Sequence, residues 1–125
     1  MPHETFLFST SHEWIEPTGE VRRIGISDHA QHLLGDIVFV DLPKAGQVVK
    51  KGDSILVVES PKAAADVYAP ISGEIVEVNA ALSSEPSAIN SGPYGDGWLV
   101  KIRPSDPSET SGLLLWPDYQ KLVEG

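Results

Sequence analysis

The sequence predicts a mostly β domain with a few short helices. Three observations carry this expectation. Apolar runs are of strand length and are closed off by Gly, Pro, Asn or Asp. An internal repeat marks the middle of the chain: Pro43-Lys44-Ala45-Gly46 recurs 27 residues on as Pro70-Ile71-Ser72-Gly73, and each copy leads into a strand and then a turn. Helix signals are few and brief. A short β unit cannot bury its apolar face alone, so the two copies are expected to pack together, with the segment between them forming a hairpin at one end.

Taken in order, Phe6 to Phe8 and His12 to Ile15 read as short β pieces, the second closed by Pro17-Thr18-Gly19. Glu20 to Ile26 resumes as a strand with Val21, Ile24 and Ile26 apolar. Ser27 caps a short helix, Asp28 suits its first turn, and Ala30, Leu33 and Leu34 fall at helical spacing before Gly35 stops it. Ile37 to Val40 reads as a buried strand before Asp41-Leu42-Pro43. The first repeat copy runs on as Gly46 to Asp53 and the second as Gly73 to Ala80. Between them Ile55 to Val58 is one strand and Val67 to Ala69 a shorter one. Ser60 and Pro61 favour a turn, since proline presets φ at its second position and serine suits its first. Lys62 then falls near the tip of a hairpin-like connection, followed by three alanines and bracketed by Glu59 and Asp66.

Farther on, Ala80 to Ser84 reads as a helical turn, Asn90 to Gly97 as a dense turn segment, and Trp98 to Ile102 as a strand. Asp106-Pro107-Ser108-Glu109 has the form of a capping box with proline in the first helical position, and Gly112 ends that helix. Trp116-Pro117-Asp118 begins a last helix with Tyr119, Leu122 and Val123 on one face.

Composition narrows the function. At 125 residues, 41% hydrophobic and 22% charged, the chain reads as one domain over residues 1–125, large enough to bury a core without disulfide or metal staples. It has no cysteine, so any sulfur redox chemistry must come from a cofactor. A formal net charge of −9 argues against nucleic acid and anionic membranes as partners, and it allows docking onto basic ones. No apolar run approaches the roughly 18 residues of a membrane span. The start, Met1-Pro2-His3-Glu4-Thr5, lacks the basic region of a signal peptide, and a cytoplasmic protein is expected.

No catalytic spacing stands out. Glu59 and Asp66 read as solvated carboxylates rather than an acid–base pair. His29 and His32 share a helical face but lack an acidic third metal ligand, and His12 stands alone. There is no Gly-x-Ser-x-Gly elbow and no phosphate loop. The three Trp and three Tyr read as core. The sequence therefore reads as a poor enzyme.

Several motifs, in order along nearly the whole chain, resemble the H-protein family of the glycine cleavage system. They are Ser11-His12-Glu13-Trp14, Ile24 to Gln31, Leu34 to Pro43, Val57 to Ala63, Tyr68 to Glu74, Asn90 with Pro93 to Trp98, and Leu113-Leu114 with Tyr119. The resemblance implies a lipoyl/biotinyl-type flattened barrel (a barrel-sandwich hybrid) with N-terminal strands and C-terminal helices added. It implies lipoic acid amide-linked to Lys62, and no catalytic residue or resident metal. It implies a shuttle that takes an aminomethyl group from the pyridoxal-phosphate-dependent P protein to the aminomethyltransferase T protein, with reoxidation by the dihydrolipoamide dehydrogenase L protein. A lipoylating enzyme is a further implied partner.

By motif position, Ser11, Glu13 and Asp66 would line the cleft that shields the loaded arm; read from the residues alone, Ser11 and Glu13 are an exposed strand edge. A rival within the resemblance is an H-like protein that mainly donates lipoyl groups to other complexes. A 2-oxoacid dehydrogenase carrier domain would read Asp-Lys-Ala at the turn, and a biotin carrier would place Met on both sides of the lysine. One departure is Pro61, where the family more often has Val; it removes a backbone donor and stiffens the turn.

Overall fold

The apolar runs assemble into two antiparallel sheets in the computed structural model, which describes residues 2–124. The elements are β1 (Leu7–Phe8), β2 (Glu13–Ile15), β3 (Arg22–Ile26), α1 (Asp28–Leu34), β4 (Phe39–Asp41), β5 (Val48–Val49), β6 (Ser54–Ser60), β7 (Ala63–Tyr68), β8 (Gly73–Val78), α2 (Ala88–Ser91), β9 (Val100–Pro104) and α3 (Trp116–Glu124). Short 3₁₀ segments lie at His3–Thr5, Ala80–Ser83 and Pro107–Gly112. The six-stranded sheet runs β1-β2-β3-β9-β8-β5 and the three-stranded sheet β4-β6-β7. They share one core, with Ile24, Ile75 and Ile102 from the first and Val40, Val58 and Val67 from the second. The flattened-barrel expectation is met as two facing sheets that do not close on each other.

The repeat is real in space. Its copies pair antiparallel, Val48 opposite Glu74 and Val49 opposite Gly73, and the pairing is extended when Ile75 donates its N–H to the Gln47 carbonyl at 2.8 Å. Gly73 sits where backbone meets backbone, since a Cβ there would fall inside contact distance of the Arg103 carbonyl and 2.9 Å from Ile102 Cγ1. The β6–β7 hairpin projects from between the two copies. Its register runs from Ser60 opposite Ala63 to Leu56 opposite Val67, and Ile55 is an extra residue that bulges. The bulge lets Ile55 and Leu56, neighbours in sequence, both be buried.

A second, aromatic core joins the two ends of the chain. Phe6, Phe8, Trp14 and Tyr119 are fully enclosed, with Phe6 stacked on Trp14 at 4.4 Å and Phe8 on Tyr119 at 4.5 Å. The expectation that aromatic residues serve the core holds for Trp14 and Tyr119, while Trp98 and Trp116 are half-buried beside them.

Several readings are corrected. The alanines after Lys62 belong to β7, which ends at Tyr68 rather than Ala69; cross-strand pairing with Ser60, Glu59 and Val58 extends the strand back to the turn. The strand expected at Ile37 to Val40 is Phe39–Asp41, and its apolar run is not buried throughout: Val38 and Phe39 are each more than half exposed. Pairing sets Phe39 opposite Glu59 on the outer face and Val40 opposite Val58 on the inner one. Leu33 of α1 is likewise exposed, and Leu122 of α3 partly so. The strand expected at Glu20 begins at Arg22, and the one expected at Trp98 begins at Val100.

The capping box at Asp106 does not close. Asp106 caps as expected, accepting from Ser108 N–H, but Glu109 turns away to accept from the N–H (2.8 Å) and hydroxyl (3.1 Å) of Ser72 in the second repeat. A tertiary partner outcompetes the local one.

Because the Arg103 carbonyl cannot yield as a side chain would, Gly73→Ala is expected to lower unfolding free energy by about 3 kcal/mol in urea titration, at the upper end of overpacking costs.

Candidate functional site: a lysine at a hairpin tip beside an apolar cleft

Ser60-Pro61-Lys62-Ala63 is a two-residue turn, with Ser60 paired to Ala63. Pro61 fixes a negative φ, which excludes the primed turns usual in such hairpins, and Lys62 does not adopt positive φ, which excludes type II. A type I-like turn remains. The Ser60 hydroxyl accepts the Ala63 N–H at 3.2 Å and holds it closed. Lys62 is exposed and makes no hydrogen bond or ion pair among the described residues. Glu59 and Asp66, expected to bracket it, lie on the outer face of the two strands, opposite Ala64 and Val57, and neither binds it.

The lysine stem lies across the end of α1. A Cβ built at Gly35 would be 3.4 Å from Lys62 Cε and 3.9 Å from Nζ. Gly35 has φ +80° and ψ −157°, a conformation that only glycine adopts readily. Asn90 fixes the same corner. Its amide donates to the Gly35 carbonyl and to Gln31 Oε1, both at 2.9 Å, and its oxygen accepts from Ile37 N–H at 2.8 Å. At the other end of α1, the Ser27 hydroxyl accepts from Ala30 N–H as the sequence predicts, and Tyr94 Oη accepts from Asp28 N–H at 3.0 Å. Burial pushes the Tyr94 phenol up to about 12.

Between α1 and the hairpin is a cavity of about 160 Å³. Leu33 and Leu34 of α1, with Val58, Ala65 and Val67 of the hairpin, give it apolar walls. Ser11, Glu13 and Asp66 all line it, so the structure brings together the three residues singled out by motif position. Asp66 Oδ1 accepts from the Ser54 hydroxyl at 2.8 Å.

Glu13 departs from the strand-edge reading, being only 2% exposed. The hydroxyls of Ser9 and Ser11 both donate to its Oε1, and Tyr68 N–H donates to Oε2 at 3.1 Å. Burial raises its pKa above the ordinary glutamate value, and these three donors pull the other way.

His12 lines the same cavity and is the one non-glycine residue at positive φ (+77°) among the described residues. Its Nδ1 lies 2.8 Å from Tyr119 Oη. Burial, and then the charge of His29 close by, lower its pKa. His29 and His32, one turn apart on α1, take different partners. His32 pairs with Asp28 at 3.3 Å, His29 lies against His12, and no group of three or more His, Asp or Glu among the described residues is placed to hold a metal. Sequence reasoning missed the roles of Asn90, His12 and Tyr119. Asn90, His12 and Tyr119 all stand in the quoted motifs, but nothing local showed their partners.

An exposed amine on a stiff β turn between two facing antiparallel sheets, with an apolar cleft and a buried carboxylate on the same hairpin and helix, is the arrangement of a carrier domain of the lipoyl/biotinyl type. Comparison with known proteins gives the particular family. The family model described as glycine cleavage H-protein matches residues 6–125. A glycine cleavage system H protein of Alteromonas mediterranea is 54% identical over 94% of this chain and 92% of its own length. A mitochondrial one of Flaveria pringlei is 54% identical over 94% and 72%, and one of Thermus thermophilus 46% identical over 99% and 96%. The crystal structure of the H protein from Mycobacterium marinum superposes with a TM-score of 0.89 at 37% identity, covering all of both chains. The chain belongs to the glycine cleavage H-protein family, and a lipoyl-carrying role in glycine cleavage follows from that membership. No helix among the described residues is long and apolar enough to cross a membrane.

Two outcomes test this site. Glu13 binds its proton more tightly folded than unfolded, so ionising it costs stability. The unfolding free energy of the wild type relative to Glu13→Gln is therefore expected to fall as pH rises from about 4.5 through the raised pKa, and to be flat above it, in urea titrations across that range. Asn90→Ala strands one donor and two acceptors at the α1 corner and is expected to cost about 2–3 kcal/mol by the same measurement.

Proposed function

We propose that this chain carries lipoic acid on Lys62 and shuttles an aminomethyl group in glycine cleavage. The single observation that carries the reading is the placement of the lysine, exposed at a two-residue turn with its stem against Gly35, the residue after Leu34 in the wall of a cavity that Glu13 also lines. The residues present fit the group. The turn offers a solvent-facing amine with small neighbours, and Leu33 and Leu34 offer apolar surface for a hydrocarbon arm. When bound, the lipoyl group supplies the disulfide chemistry that a chain without cysteine lacks.

The chain's own residues do the rest. β6 and β7 hold the attachment point on a stalk, and tethering raises the arm's effective concentration at each docked partner. The apolar walls exclude water from a hydrolytically labile cargo. Ser11, Glu13 and Asp66 present oxygens to the cargo nitrogen, and the carboxylates suit an ammonium-like group through charge-assisted hydrogen bonds. Amide formation removes the Lys62 charge, taking the formal net charge from −9 to −10.

The partners of this reading are the P, T and L proteins and a lipoylating enzyme, with residues 1–125 acting as one domain, in the cytoplasm. As a carrier the chain leaves the chemistry to those partners. The lipoyl-donor alternative keeps Lys62 modified but does not require glycine decarboxylation.

Two measurements decide these points. After expression with lipoate and a lipoate ligase, intact mass is expected to rise by one lipoyl amide in the wild type and not in Lys62→Arg. An unshifted wild type, or a shift that persists in Lys62→Arg, contradicts the attachment site. The lipoylated protein is further expected to support glycine–bicarbonate exchange by P protein, and failure there would favour the donor reading.

A further inference from the structure

The cleft wall contains a strained residue, and the strain has a visible restraint. His12, at φ +77°, lies between Ser11 and Glu13. A side chain with a Cβ adopts this backbone only when surrounding contacts hold it. The conformation lets Ser9 and Ser11 converge on one Glu13 oxygen. Three contacts hold His12. Its N–H donates to the Ser9 carbonyl at 3.2 Å, its carbonyl accepts from Ser27 N–H at 2.9 Å, and its ring meets Tyr119 Oη at 2.8 Å.

Tyr119 is 1% exposed, comes from α3, and also meets the Ser27 hydroxyl at 2.6 Å. Ser27 in turn caps α1 by accepting from Ala30 N–H at 3.1 Å. With His12 neutral and Nδ1 unprotonated, the run has one polarity that uses every hydroxyl proton: Ala30 N–H to Ser27 Oγ, Ser27 O–H to Tyr119 Oη, and Tyr119 O–H to His12 Nδ1. The far end of the same helix carries Leu33 and Leu34 of the cavity and leads into Gly35 beside Lys62.

We propose that Tyr119 is a positioning residue for the cleft: its hydroxyl ties strained His12, and through it Ser11 and Glu13, to the capped end of the helix whose other end adjoins Lys62. The C-terminal helix thereby sets the geometry of a cleft it does not line. This deepens the carrier reading above, and its structural part holds whether or not Lys62 is modified.

The test begins with the unlipoylated full chain. Amide hydrogen exchange by NMR reads Tyr68 N–H, which is bound to Glu13, and Ala30 N–H, which is bound to Ser27. Tyr119→Phe keeps the stacked ring and removes the hydroxyl. It is expected to speed exchange at both amides roughly five- to tenfold, as loss of an ordinary hydrogen bond does, with the amides of the β8–β9 pair unchanged. His12→Asn keeps a residue tolerant of positive φ and removes the ring. It is expected to give the same pattern, with no further rise in the double variant. No change at Tyr68, a uniform rise across all strands, or additive effects of the two substitutions would each overturn the proposal. The second stage uses lipoylated protein loaded with P protein and glycine and follows hydrolysis of the cargo without T protein. Faster loss in Tyr119→Phe is the expected result. Unchanged hydrolysis alongside the exchange pattern above would instead sink the reading of the cleft as a shield and leave the tether standing.

Discussion

The pairing of β6 with β7 is the constraint from which the rest of the site follows. The pairs from Ser60–Ala63 back to Leu56–Val67 are seated by buried Leu56, Val58 and Val67. A slip of one residue would turn those side chains to solvent and move Lys62 off the tip, so the register is specified by the same apolar surface that stabilises the sheet. Pro61 adds stiffness where a glycine-containing turn would flex. Mobility at the tip then begins with the lysine side chain and not with the loop.

The cleft works on a different physical basis. Glu13 is buried at a cost, because removing a carboxylate from water disfavours its ionised form. Three donors offset part of that cost, and the raised pKa is what remains. Oxygens held in place by such donors need no reorganisation to meet a new partner, and a low local dielectric strengthens any contact they make. Asp66 also lines the cavity, and its exposed carboxylate is bound to Ser54.

Between stalk and cleft lies α1, which is too short to be stable alone. It is held at both ends by side chains distant in sequence: Tyr94 and Tyr119 at its N-terminus, Asn90 at its C-terminus. The aromatic core explains why the C-terminal helix is available for this. Phe8 stacks on Tyr119 and Phe6 on Trp14, so the two ends of the chain are clamped together beside the cleft. The strands and helices added around the two small sheets therefore complete the site and are not mere decoration of it.

Much of this was legible in the residues themselves. Ser60 and Pro61 specified the turn, Ser27 and Gly35 the limits of a helix, and the Pro-to-Gly repeat the pair of strands that flank the hairpin. Each is decided by the φ preference or hydrogen-bonding reach of one or two neighbouring residues, which is information the linear chain contains. The cleft residues came from motif resemblance, since nothing near Glu13 in sequence marks it as enclosed. The tertiary structure alone decided which apolar residues face inward. Phe39 lies outside because its partner across the sheet is Glu59, and Glu109 abandons its own helix end for Ser72. It alone showed Glu13 walled in by Tyr68, Asn90 holding the corner under the lysine, and Tyr119 reaching His12. Burial and long-range hydrogen bonds depend on which segments meet in space, and that is fixed by the packing of the whole chain rather than by any stretch of it.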